Sequence, residues 1–140
     1  MPTSWTPWHD IVTVRDDVKT GKLTLDTFAA DLNDVMMQED KRPVYEDPTE
    51  FFKLTYPTHN LRELAREVAE RLAGESDKAV RQLSLTYGGG KTHSMITLYH
   101  LFGTADTLPD IPAVREFKSH IDRPLPEAAI AALPFDYFDT

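Results

Sequence analysis

The sequence predicts an α/β chain: a mainly helical region over residues 1–78, then over 79–140 a strand, a glycine-rich loop and a helix that open a second unit. Three observations predict it. Apolar residues recur at helical spacing through the first half, between recognisable cap residues. Val80 to Tyr87 alternates in character over a short run, the period of a strand. Gly88, Gly89 and Gly90 then turn directly into Lys91–Phe102, whose apolar residues again have helical spacing.

Composition sets outer limits. The chain has 140 residues, 41% hydrophobic and 27% charged, which suits one globular domain or a small helical module with part of another. No run of about 18 apolar residues offers a transmembrane helix. The N-terminus lacks the basic and apolar regions of a signal peptide. Cysteine is absent, which excludes disulfides and thiolate metal sites and fits a cytoplasmic location. A net charge of −8, with acid and base mixed along the chain, argues against direct nucleic-acid binding.

The elements follow in order. Met1 to Thr13, with Trp5, Trp8 and two prolines, reads as an irregular arm that docks on an apolar surface. A short helix is expected over Val14–Lys19, stopping at Gly21. Thr24 is a good N-cap for a helix carrying Leu25, Phe28, Ala29, Leu32, Val35 and Met36, ended by the polar run Gln38–Arg42 and by Pro43. Asp47-Pro48-Thr49-Glu50 is a start signal: Asp47 caps, Pro48 suits the first position and Glu50 can close a capping box. The helix with Phe51, Phe52 and Leu54 stops before Pro57.

A longer helix is expected over Asn60–Ala73, capped near Thr58 and stopped by Gly74. Leu61, Leu64, Ala65, Val68 and Leu72 form its apolar stripe, and its charges form a solvated face. Lys91–Phe102 is apolar around most of its circumference, so it should be buried on several sides, with His100 a core histidine. Beyond Gly103 the chain is proline-rich, with two short helices expected near Ala113–Ile121 and Glu127–Leu133.

The run Leu83-Ser84-Leu85-Thr86-Tyr87-Gly88-Gly89-Gly90-Lys91-Thr92 carries chemistry. Phosphates need several backbone N–H groups pointing into one concave loop, and glycine lets the backbone come that close. The next helix adds its N-terminal N–H groups and the positive end of its dipole. A lysine there reaches the outer phosphates, and a neighbouring hydroxyl ligates Mg2+. Gly90-Lys91-Thr92 meets these demands in order, which makes residues 79–140 the opening of a P-loop nucleotide-binding core. Lys91 is the candidate catalytic group and Thr92 the metal ligand. Tyr87 and His93 flank the phosphate cradle, although each also fits a packing role. The usual pattern has a glycine six residues before the lysine; Leu85 stands there.

A P-loop ATPase also needs an acid at the end of a second buried strand, and the best candidate, Leu133 to Asp139, contains Pro134. Arg115 and Arg123 could stabilise charge, but nothing places them near the loop. The chain therefore reads as an incomplete domain.

The residues also carry a resemblance. Asp47-Pro48-x-Glu50-Phe51-Phe52-x-x-Thr55-Tyr56-x-Thr58, Leu61–Leu64, Tyr87-Gly88-Gly89-Gly90-Lys91-Thr92-His93-Ser94-Met95 and Leu98-Tyr99-His100-Leu101-Phe102 together resemble the N-terminal part of a family of large prokaryotic AAA+-type ATPases. That family has long been labelled only as a domain of unknown function. Its members are often encoded beside adenine-specific DNA methyltransferases in mobile or anti-phage defence clusters. The resemblance covers roughly Trp5 to Phe102 and extends to the missing first glycine, which is commonly absent in the family.

It implies ATP with Mg2+ as cofactors, phosphates cradled by Gly88, Gly89 and Gly90, hydrolysis by the full-length protein, a DNA methyltransferase or other defence protein as partner, and an oligomer of the ring type that AAA+-type proteins often form. Two other readings stay open. One is a phosphotransferase using the same loop. The other is a non-catalytic helical interaction module with a vestigial loop, which exposed Trp5, Trp8, Phe51 and Phe52 would favour.

Overall fold

Side-chain caps decide where three of the helices begin. The structure, a computed structural model, describes residues 5–22, 29–38, 43–84, 86 and 88–133. Its α-helices are α1 (Trp8–Ile11), α2 (Asp16–Lys19), α3 (Leu32–Met37), α4 (Pro43–Glu46), α5 (Pro48–Leu54), α6 (His59–Leu72), α7 (Lys91–Gly103) and α8 (Pro112–Ile121), with a 3-10 turn at Ala105–Thr107. Asp47 accepts from Glu50 N at 2.9 Å and Thr58 from Leu61 N at 3.4 Å, as their positions in the sequence predict. The reciprocal half of the capping box does not form. The Glu50 carboxylate takes Lys53 instead, at 2.6 Å, and the Asp47 N–H is used by Pro43 O at 3.0 Å.

The expected α/β core is not what the chain forms. Among the described residues there is no strand and no sheet. The segment expected as the first strand still shows a strand's alternation, for Val80, Gln82 and Ser84 are exposed while Arg81 and Leu83 are half-buried. Arg81 pairs with Glu67 of α6 at 2.7 Å. The run therefore lies beside α6, with Leu83 sharing a cavity wall with Leu61 and Leu64. A β-strand exists only through the ladder it makes with a neighbour, and no described segment supplies one.

Three local expectations also change. Thr24, Leu25 and Phe28 lie outside the described residues, and α3 is capped by Asp31, whose carboxylate accepts from Asn33 N at 2.8 Å. Pro43 opens the short helix α4 as well as barring the preceding one, because proline suits a first helical turn. Residues 127–133 form no helix. Ala128 N–H is instead donated to Phe102 O at 2.8 Å, satisfying a carbonyl left over at the end of α7, and Pro124 and Pro126 lack the N–H groups a helix start could use.

The core lies between α5, α6, α7 and α8. Phe51, Phe52, Ile96, Leu101, Phe102, Val114 and Phe117 are buried there, each large side chain contributing about 1.5–3 kcal/mol by leaving water. Ala65 and Ala69 on α6 are fully buried and small, which lets α8 approach closely. The Arg62–Glu116 ion pair and the Glu63–His120 hydrogen bond then stitch α6 to α8 along the rim. As expected, α7 is buried on several sides, with Ile96, Thr97, His100, Leu101 and Phe102 all inside. Its first turn, however, projects beyond the core.

Candidate functional site

The exposed first turn of α7 begins on the glycine loop. Gly88 and Gly90 have φ of +77° and +78°, the left-handed region that glycine reaches without steric cost. The loop is closed by Gly89 N–H donating to Thr86 O at 3.0 Å. Gly90 is the N-cap of α7 and offers no side-chain cap, unlike Asp31, Asp47 and Thr58 at the heads of α3, α5 and α6. The N-cap residue thus offers no side-chain acceptor to the leading N–H groups at the positive end of this thirteen-residue helix. Ser94 N and Ser94 Oγ both donate to Gly90 O at 2.9 Å, which locks the loop onto the helix.

Lys91 and Thr92 are exposed on this turn. The Lys91 ammonium lies 3.3 Å from Thr86 O, folded back across the loop. Tyr87 lies outside the described residues. His93 turns inward: its ring stacks on Phe51 at 4.7 Å between centroids, and its Nε2 lies 3.1 Å from Thr55 Oγ1. The Thr55 hydroxyl hydrogen goes to Phe51 O at 2.8 Å, so His93 must donate from Nε2. Burial pushes the His93 pKa down, which keeps the ring neutral.

His100, two turns on, is the core histidine expected. Its Nε2 donates to Tyr45 O at 2.7 Å, its Nδ1 is buried without a partner, and desolvation lowers its pKa.

Two cavities flank the glycines. One, of about 480 Å³, is lined by Ala29, Ala30, Tyr45 and the whole run Gly88–His93. The other, of about 340 Å³, shares Gly89, Gly90 and His93 and adds Tyr56, Asn60, Leu61, Leu64 and Leu83 among its walls. The structure therefore brings Gly88, Gly89, Gly90, Lys91, Thr92 and His93 together. It does not bring in Arg115 or Arg123, which pair with Asp110 and Glu75. Asp136 and Asp139 of the candidate acidic strand lie outside the described residues. Thr55, which orients His93, was missed as a site residue; its only signal is its place in the Thr55-Tyr56-x-Thr58 run.

The residues present fit a phosphate group with its magnesium. The loop residues Gly88–His93, with a lysine and a hydroxyl among them, line one cavity, and among the described residues no carboxylate lines it. Among the described residues no group of three or more His, Asp or Glu side chains gathers as a metal site.

Fold and site define a helical domain, over the described residues, that presents a glycine-rich turn at an uncapped helix N-terminus. The chain belongs to the DUF499 N-terminal domain family, whose profile matches residues 8–129. No curated protein and no solved structure matches it. No helix among the described residues is long and apolar enough to cross a membrane.

Proposed function

We propose that this domain binds the phosphates of ATP, with Mg2+, on the loop Gly88–Thr92. The observation that carries the reading is the uncapped N-terminus of α7, set behind two left-handed glycines with Lys91 and Thr92 exposed on its first turn. Gly88, Gly89 and Gly90 give the chain close approach, Lys91 supplies the charge for the outer phosphates, and Thr92 supplies a hydroxyl to magnesium. The resemblance to AAA+-type ATPases supports ATP as the nucleotide, with hydrolysis and work on a DNA-modification or defence partner belonging to the full-length protein.

Calorimetric titration with Mg-ATP, beside Lys91→Ala, tests it. Saturable binding that the variant loses is expected; equal binding by both proteins would sink the reading.

A second reading has one observation in its favour. Trp5 and Trp8 are 90% and 72% exposed, as an arm that docks on a partner would be. Phe51 and Phe52 are each only 1% exposed, so they do not contribute to such a surface.

A further inference from the structure

The two cavities beside the glycine turn meet over Gly89, Gly90 and His93 and differ in chemistry. The larger holds Lys91, Thr92 and the head of α7, the groups suited to phosphate. The smaller shares Gly90 and His93 of that head but is lined by neither Lys91 nor Thr92. Its other walls include Tyr56, Leu61, Leu64 and Leu83, with Thr58, Asn60 and Ser94 as polar residues among them.

We infer that the smaller cavity takes the adenosine half of the nucleotide, with the base stacked on Tyr56 and its edge read by Asn60. The inference rests on the phosphate reading above and assigns the part of the ligand that reading leaves unplaced. A purine has two apolar faces and a polar edge. A cavity with mainly aliphatic and aromatic walls and a few polar groups matches that division.

Tyr56 is 79% exposed, whereas Phe51 and Phe52, a few residues earlier, are buried. It offers an aromatic face beside the loop that the core does not use. Asn60 carries an NH2 donor group and a carbonyl acceptor side by side on a planar group. Adenine presents a matching acceptor and donor at N7 and N6, while guanine presents two acceptors at N7 and O6. The pairing therefore selects adenine. The two cavities share Gly89, Gly90 and His93 as walls, so a ligand that reaches over those residues would have its phosphates on the Lys91 side.

The test compares Mg-ATP, Mg-GTP and magnesium tripolyphosphate, which has the phosphates and no nucleoside. Tyr56→Ala should weaken ATP about tenfold, the loss of one stacked base, and leave tripolyphosphate unchanged. Tyr56→Phe should retain ATP affinity. Asn60→Ala should erase the preference for ATP over GTP. Lys91→Ala should weaken ATP and tripolyphosphate alike.

Unchanged ATP affinity in Tyr56→Ala, or equal losses of ATP and tripolyphosphate, would overturn the adenosine assignment while the phosphate site stood. Wild-type protein that binds tripolyphosphate as tightly as ATP would do the same. Failure of the wild type to bind either ligand would overturn both readings. Helicity by circular dichroism, unchanged in the exposed-site variant Tyr56→Ala, separates these outcomes from unfolding.

Discussion

His93 Nε2 donates to Thr55 Oγ1 across 3.1 Å, and that bond joins the first turn of α7 to the residue that ends α5. Thr55 is buried and serves two partners, since its own hydroxyl hydrogen goes to Phe51 O. Replacing it by valine keeps the shape and strands a donor and an acceptor. Thr55→Val should cost about 1–3 kcal/mol in urea unfolding, with Thr55→Ser close to wild type. Because the bond also sets the head of α7, Thr55→Val should weaken Mg-ATP binding as well.

Acid should weaken the fold beginning just below neutrality. Burial lowers the pKa of both His93 and His100. Unfolded histidine titrates near 6.5. The folded values lie below that, so the neutral rings favour folding. Their contribution is complete above about pH 6.5 and is lost as pH falls through the folded values. His100 is the more exacting of the two, for a proton on its unpartnered Nδ1 would place charge among Phe51, Phe52 and Tyr99. Thermal melts between pH 8 and 5 should show a falling midpoint, and His100→Gln should flatten the slope.

A second acid transition should follow at lower pH, from the α6–α8 rim. Hydrogen bonds from Arg66 and His120 hold the Glu63 carboxyl down at about 2, against an ordinary 4.5. A depressed carboxyl stabilises the fold above its unfolded pKa and stops doing so as pH falls through its folded one. The window is therefore about pH 4.5 down to 2. Glu63→Gln should remove the pH dependence in that window and leave the histidine transition in place. Denaturant titrations at fixed pH values resolve the two.

Phe117 on α8 should be among the most costly core positions. It is fully buried and meets Phe52 at 6.0 Å between ring centroids, edge to face. Phe117→Ala should destabilise by about 3–5 kcal/mol in chemical unfolding. If α8 were peripheral, the variant would instead unfold near the wild-type midpoint.

How far the sequence showed all this depends on whether a signal is local. Asp47 and Thr58 were legible because a cap bonds a residue three places on. The boundaries of α7 were legible because Gly90 starts it and its apolar pattern runs to Gly103. The failure at Val80–Tyr87 was different in kind. The alternation of exposed and half-buried residues over positions 80–84 is present, as read. What makes a strand is a neighbour, which no local pattern contains. Residues 127–133 failed for a related reason, since the Ala128 N–H is claimed by Phe102 O, 26 positions away in sequence (128 − 102). In the site, Gly88–Thr92 announced itself through residue type, whereas Thr55 and Asn60 belong to it only through folding.

The glycines allow a test that separates backbone from charge. Gly90 has φ of +78°, and a Cβ placed on it would meet nothing within 4 Å. Any cost of Gly90→Ala is therefore conformational, about 1–2 kcal/mol for an L-residue held in the left-handed region. The protein has two ways to answer. It can keep the turn and lose that stability, or relax φ and disturb the donors at the head of α7. Either answer weakens the anion site, so Gly90→Ala should lower both the unfolding midpoint and Mg-ATP affinity. Lys91→Ala removes charge at an exposed position that alanine suits, so it should lower affinity with little change in midpoint. Gly89 is not held at positive φ, and Gly89→Ala avoids that left-handed penalty. Calorimetric binding and unfolding measured on all three variants should therefore separate them. Gly90→Ala matching Lys91→Ala in both quantities would show that the left-handed turn does not shape the site.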